Sequence, residues 1–171
     1  MQERTGEVTM KGNPVTLLGA IPKVGDRAPD AQLVANDLKT VSLSSFRGKI
    51  CIISAVPSLD TPTCDMETRK FNTMAVDLNS DVHILTVSTD LPFAQKRWCG
   101  AAGVDKVVTL SDHRSVAFGE AYGVLIKDLR LLARAVFVVD REGVLRHIEL
   151  VKEIATEPDY DAILAAVKNL V

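Results

Sequence analysis

Hydrophobic and polar positions alternate along this chain with two different periods. Residues 7–10 and 15–18 flank Lys11-Gly12-Asn13-Pro14, which predicts a β-hairpin over about residues 7–18. Gly12 and Asn13 can supply the turn, and Pro14 sits where a ladder donor would be missing. A connector bearing proline and glycine follows at 21–29, and the main body is expected to begin near Asp26. Residues 41–43 predict a short strand. Residues 50–56, ICIISAV, are nearly all apolar, as in a strand buried on both faces of a sheet, and Pro57 closes the run.

Thr61-Pro62 then announces a helix, a hydroxyl cap followed by proline at the first helical position. Cys64, Phe71, Ala75 and Leu78 recur at helical spacing, with Lys70, Asp77 and Asn79 free to face water. Residues 82–88 predict a strand, and 91–99 a helix capped by Asp90 and ended near Gly100. A strand at 107–110, a short helix at 116–122 and a buried strand at 135–139 come next. The turn at 140–143 leads into 144–148, which predicts an antiparallel hairpin. The chain closes on a helix over 160–170 whose Ile163, Leu164, Val167 and Leu170 form one stripe. The alternation implies an α/β fold, a central mixed β-sheet flanked by helices with an N-terminal β-hairpin, in a single domain over 1–171.

Composition narrows the function classes. The 171 residues are 47% hydrophobic and 25% charged, enough to build a core without staples. A net charge of −2 gives no basic field for nucleic acid, no apolar run is long enough for a membrane, and residues 1–4 lack a secretory layout. The cysteines stand at 51, 64 and 99, an odd number without a CxxC, which suits a reducing compartment better than a disulfide scaffold. His83, His113 and His147 have no short ligand spacing, so no metal is expected. The absence of G-x-G-x-x-G and G-x-S-x-G leaves nicotinamide, flavin and serine hydrolase chemistry unsupported, and no cofactor is expected.

Cys64 carries the most chemistry. The loop PSLDTPTC joins a buried strand to a helix, a junction where α/β sheets build sites. With Thr61 as cap, Cys64 lies in the first turn, where unpaired backbone donors and the positive helix end favour a thiolate with a pKa below the usual ~8.5. By position alone it is either that nucleophile or a small apolar side chain on the helix's inner face.

The string from Pro57 through Thr61 to Cys64, continued by Glu67, Arg69, Lys70 and Phe71, resembles the peroxiredoxin active-site signature. Its bacterial thiol peroxidase subclass is further resembled by Asp90-Leu91-Pro92-Phe93-Ala94-Gln95, Arg97-Trp98-Cys99-Gly100, the stretch 133–140 and Thr156-Glu157-Pro158-Asp159-Tyr160. The resemblance spans essentially the whole chain. It implies a thioredoxin-like fold and reduction of hydroperoxides, with Cys64 as the peroxidatic cysteine. Thr61 and Arg134 would hold thiolate and peroxide, and Pro57 would shield the sulfenic acid. Cys99 would be the resolving cysteine of an intramolecular disulfide, recycled by a thioredoxin-like reductant in a cytoplasmic homodimer. Read by residue type alone, Arg134 is equally a strand-end side chain reaching for solvent, and Cys99 an inert helix cysteine. Arg69 is either a contributor to the site or a surface charge, and Cys51 is most simply core. Leu59, Phe46 and Phe93 are expected around the site, which would favour organic hydroperoxides. Phe93, Trp98 or the strip near Tyr122 could supply the dimer contact. The rival readings are a redox-inert binding module and an oxidoreductase of protein disulfides.

Overall fold

The structure is a computed structural model that describes every residue of 1–171 except Val76. Its centre is a seven-stranded sheet. Three parallel strands form the middle: β5 (Ile50–Ala55), β6 (Val82–Ser88) and β7 (Val107–Ser111). β9 (Ala135–Val139) runs antiparallel beside β5 and carries β10 (Leu145–Leu150) on its outer edge. The far edge is β3 (Gln32–Val34) and β4 (Thr40–Ser42), so the order is β10-β9-β5-β6-β7-β3-β4. The mixed sheet, the antiparallel 140–143 hairpin and the N-terminal hairpin agree with the expectations. β3 is too short to show a period, and sequence reading missed it.

The N-terminal hairpin is longer than expected. β1 (Glu3–Met10) pairs with β2 (Asn13–Leu18), and Pro14 lies inside β2, opposite Thr9. A two-residue strand, β8 (Leu125–Ile126), completes this second sheet. Pro14 is tolerated because β8 pairs only with Leu17 and Leu18.

Helices cover both faces of the main sheet. α1 (Pro62–Ala75), α2 (Pro92–Ala102) and α4 (Tyr160–Lys168) share one face. There Phe71, Trp98, Ile163 and Val167 pack on Ile50, Ile52, Ile84, Val107, Val136 and Val138. The other face carries α3 (Ala117–Ala121) and the small sheet, with Phe118 and Tyr122 stacked at 4.4 Å. No helix among the described residues is long and apolar enough to cross a membrane.

The second helix differs from its reading. Its cap is Leu91, not Asp90, and Gly100 lies inside it; the left-handed Gly103 (φ 68°) ends it. Cys99, expected as the last residue of this helix, is therefore wound into its last turn, with Gly100, Ala101 and Ala102 still helical after it. Asp90 fails to cap because its carboxylate is committed backwards, accepting from Ser58 Oγ, Leu59 N and Ser88 Oγ at 2.7–2.8 Å. It pins the loop before α1 to the end of β6.

Candidate active site

The site is built where β5 ends. Pro57 is buried at the close of that strand, and the loop 58–61 turns the chain into α1. Thr61 Oγ1 accepts from the Cys64 backbone N–H at 3.2 Å, which makes it the helix cap expected from sequence. The same hydroxyl donates to the Ser58 carbonyl at 3.1 Å. Its one proton is thus used on the loop, and in this state Thr61 holds the backbone of Cys64 rather than its sulfur. Thr68 Oγ1 donates back to the Cys64 carbonyl at 2.8 Å, bracing the first turn from inside.

The Cys64 side chain is fully buried and meets one cation. Arg134 Nη2 donates to Cys64 Sγ at 3.2 Å across 70 residues of sequence. Arg134 is itself 1% exposed, so it does not reach for solvent. Its other donors are also committed: Nε to the Ile154 carbonyl at 2.8 Å, and Nη1 to Glu67 Oε2. Glu67, three residues after Cys64 on the same helix face, takes a second hydrogen bond from Ser54 Oγ at 2.9 Å. A planar fork held at two corners offers its third to sulfur in a fixed direction.

One buried cation serves two acids here. Burial alone would lower the Arg134 pKa, but Glu67 and Cys64 outweigh it and push it up. Burial raises the Glu67 pKa, and Arg134 and Ser54 counter only part of that rise. The guanidinium is thus shared between the Glu67 carboxylate and the Cys64 sulfur. Glu67 appeared in the sequence only as one letter of a resembling string. Its i+3 spacing from Cys64 on an otherwise inward face was the available signal.

The segment that supplies this carbonyl, residues 152–155, is tied to the N-terminal hairpin. Thr9 N–H donates to the Lys152 carbonyl, and Ile154 N–H to the Thr9 carbonyl, at 2.7 and 3.0 Å. Glu153 then accepts from Gly12 N at 2.9 Å and Ala155 N at 3.0 Å. Those backbone donors hold its carboxylate below its ordinary pKa.

Cys99 lies elsewhere. Its sulfur contacts Thr109 Oγ1 of β7 at 3.6 Å, and the three cysteines are unbonded. Arg69 does not touch Cys64; it joins Asp65 at 2.9 Å and the Ala102 carbonyl at 3.2 Å. Cys51 is core, as read: it faces the opposite side of β5, where burial pushes its thiol up to about 11. Phe46 lines the slot beside Cys51 and does not belong near Cys64, because it follows β4 on that opposite face. Tyr122 is fully buried with its hydroxyl on the Pro29 carbonyl, which removes it as a dimer contact. Phe93 is 67% exposed at the start of α2, and Leu59 is buried in the active-site loop.

A buried, cation-paired thiol in the first turn of a helix, on a mixed sheet covered on both faces, defines a thioredoxin-like redox domain. The family model "Redoxin" matches residues 23–164, and the chain belongs to that family. It is 54% identical over 165 residues to the thiol peroxidase of Bacillus subtilis, covering 96% of this chain and 98% of that protein. It is 56% identical over 158 residues to the thiol peroxidase of Oceanobacillus iheyensis, covering 92% and 96%. A peroxiredoxin-like protein from Aquifex aeolicus superposes with a TM-score of 0.91 at 44% identity over the whole of both chains. The thiol peroxidase from Chromobacterium violaceum shares the fold (TM-score 0.85, 22% identity, 95% of each chain). The resemblance to bacterial thiol peroxidases read from the sequence agrees with these relatives.

Proposed function

We propose that this chain is a thiol peroxidase that reduces hydroperoxides through Cys64. The observation that carries the reading is the buried guanidinium of Arg134 against Cys64 Sγ, a cation placed where a thiolate attacks and where charge moves to oxygen. The thiolate attacks the terminal peroxide oxygen and the O–O bond breaks. Cys64 becomes a sulfenic acid, oxidised by two electrons, and the departing alkoxide or hydroxide takes a proton to leave as alcohol or water. The Cys99 thiol then attacks the sulfenic sulfur; a Cys64–Cys99 disulfide forms and water leaves. A thioredoxin-like dithiol returns both cysteines to thiols and is itself oxidised.

In this reading Arg134 holds sulfur and peroxide, Thr61 fixes the turn, Pro57 shields the sulfenic acid and Glu67 positions Arg134. The chain acts as one domain, as a homodimer in the cytoplasm, and Phe93 is the exposed apolar side chain that suits the dimer contact. Leu59 and Phe93, without Phe46, remain to favour organic hydroperoxides. The test is a peroxide titration with thiols counted by mass, followed by turnover with a thioredoxin system. Cys64→Ser is expected to lower turnover at least about a thousandfold with the fold intact, the scale of loss seen when a nucleophile is removed. Turnover surviving that change would overturn the assignment.

A further inference from the structure

In the proposed cycle the two sulfurs must meet, and each is held by its own partner, Cys64 Sγ by Arg134 and Cys99 Sγ by Thr109 of β7. A disulfide needs Cα atoms within about 7 Å, and forming it draws both sulfurs away from those partners. The residues that flank the two cysteines are joined to each other. Asp65, next to Cys64, accepts from Trp98 Nε1 at 2.9 Å, and Trp98 is next to Cys99. The other oxygen of Asp65 accepts from Arg69 Nε at 2.9 Å. The Arg69 guanidinium lies 5.8 Å from the Trp98 ring centroid and donates Nη1 to the Ala102 carbonyl, at the last residue of α2. A cation bonded to a terminal carbonyl stabilises that helix end. The Cys99 carbonyl meanwhile accepts from the N–H groups of Gly103 and Val104. The turn that holds Cys99 is therefore kept wound by side chains from the first two turns of α1.

We infer that Asp65, Arg69 and Trp98 form a latch that makes release of Cys99 depend on the state of Cys64. These are positioning residues, and the inference rests on the peroxidase reading above. While Cys64 is a thiolate, Arg134 holds the first turn of α1, Asp65 stays in place and α2 stays shut. Conversion to the neutral sulfenic acid removes one of the two negative charges that Arg134 pairs with, the one in the first turn, while Glu67 keeps its own bond a turn further on; the first turn then gives way cheaply because it is a helix end. Its unwinding carries the Asp65 carboxylate away from Trp98 and Arg69. The last turn of α2 then loses its side-chain support, and Cys99 becomes free to attack. The latch thus sets the lifetime of the sulfenic acid. That lifetime divides it between disulfide formation and attack by a second peroxide, which would yield a sulfinic acid and one more alcohol or water.

The test is quenched-flow oxidation with excess hydroperoxide, with sulfenic, disulfide and sulfinic forms counted by mass. Trp98→Phe keeps the aromatic packing and removes the donor. It should leave the reaction of Cys64 with peroxide within about twofold, speed disulfide formation about fivefold and lower the sulfinic fraction to match, the size expected of one partly exposed hydrogen bond to a charged group. Asp65→Ala offers a second route should Trp98→Phe fold poorly. Combined, the two changes should gain clearly less than the product of their single effects, because they remove one shared contact. A partition equal to that of the unmodified protein in both variants, slower disulfide formation, or fully multiplicative effects would each overturn the latch. If the unmodified protein forms no Cys64–Cys99 disulfide with one equivalent of peroxide, it is the functional reading that falls instead.

Discussion

The face of the central sheet that carries α1, α2 and α4 has two unlike ends. Toward the start of the parallel strands it is aliphatic: Ile50, Ile52, Ile84 and Val107, roofed by Phe71, Ala75 and Val167. Toward their far end, under the two cysteine-bearing segments, it is lined with hydroxyls. Ser54, Thr86 and Thr109 are successive partners in one cross-strand row, and Ser88 pairs with Ser111 in the next. All five are buried. Dry packing fixes a helix because lifting it off exposes apolar surface to water. A hydroxyl floor can be wetted, so the helix segments above it open at lower cost. The same helices are thus bolted at one end and seated at the other, and the reactive cysteines are at the seated end.

The largest effect that would test this contrast is at the aliphatic end. Phe71 is fully buried and meets Tyr160 edge-on at 5.5 Å. Phe71→Ala is expected to cost about 3–5 kcal/mol of global stability, read as a lower denaturant midpoint at unchanged slope. A loss below about 1 kcal/mol would mean that this end is not the anchor.

At the polar end, Arg134→Met removes the cation while keeping much of the volume. It leaves Glu67 buried without its partner and Cys64 without its donor. Peroxide reactivity should fall about 10²–10³-fold, as on loss of a preorganised donor. A fall of less than about tenfold would remove Arg134 from the chemistry.

A subtler change sharpens the comparison from the other side. Among the described residues Thr86 Oγ1 has no hydrogen-bond partner although it is buried in the middle of the hydroxyl row. Thr86→Val should therefore raise global stability by about 1 kcal/mol. It should also slow Cys64–Cys99 disulfide formation, because the floor no longer accepts water. A variant that gains stability and resolves at the original rate would separate floor polarity from opening.

The smallest effect is expected at Cys51, on the opposite face of β5. With its thiol pushed up to about 11, it should resist alkylation at pH 8 while Cys64 reacts, and Cys51→Ala should leave turnover unchanged. The sign of its pH linkage follows from the same shift. The folded protein keeps this proton where an unfolded cysteine loses it, so the contribution is full below about pH 8.5 and is lost as pH rises toward 11. Replacing Cys51 should flatten the alkaline limb of the stability curve, and an unchanged limb would refute the assignment.

Much of this protein is written in local spacing. The strand β5, the Thr61 cap, the first-turn place of Cys64 and the α4 stripe depend on neighbours within a few positions, and those survive in any context that lets the segment bury its apolar side. What failed locally failed through competition. Asp90 had the right residue type to cap α2, but Ser58, Leu59 and Ser88 claimed its oxygens first. Phe46 looked available until its segment packed on the face of Cys51, and Tyr122 until it was buried with its hydroxyl on the Pro29 carbonyl. The pairing of Cys64 with Arg134 belongs to tertiary structure alone. It requires β9 to lie beside β5 with Ser54 opposite Val136, so that Arg134 shares the face of Val136 and Val138. A register slip of one residue would send the guanidinium to the face of Cys51. Sequence placed a thiol at the head of a helix; only the order and register of strands far apart in the chain decided which thiol meets the cation.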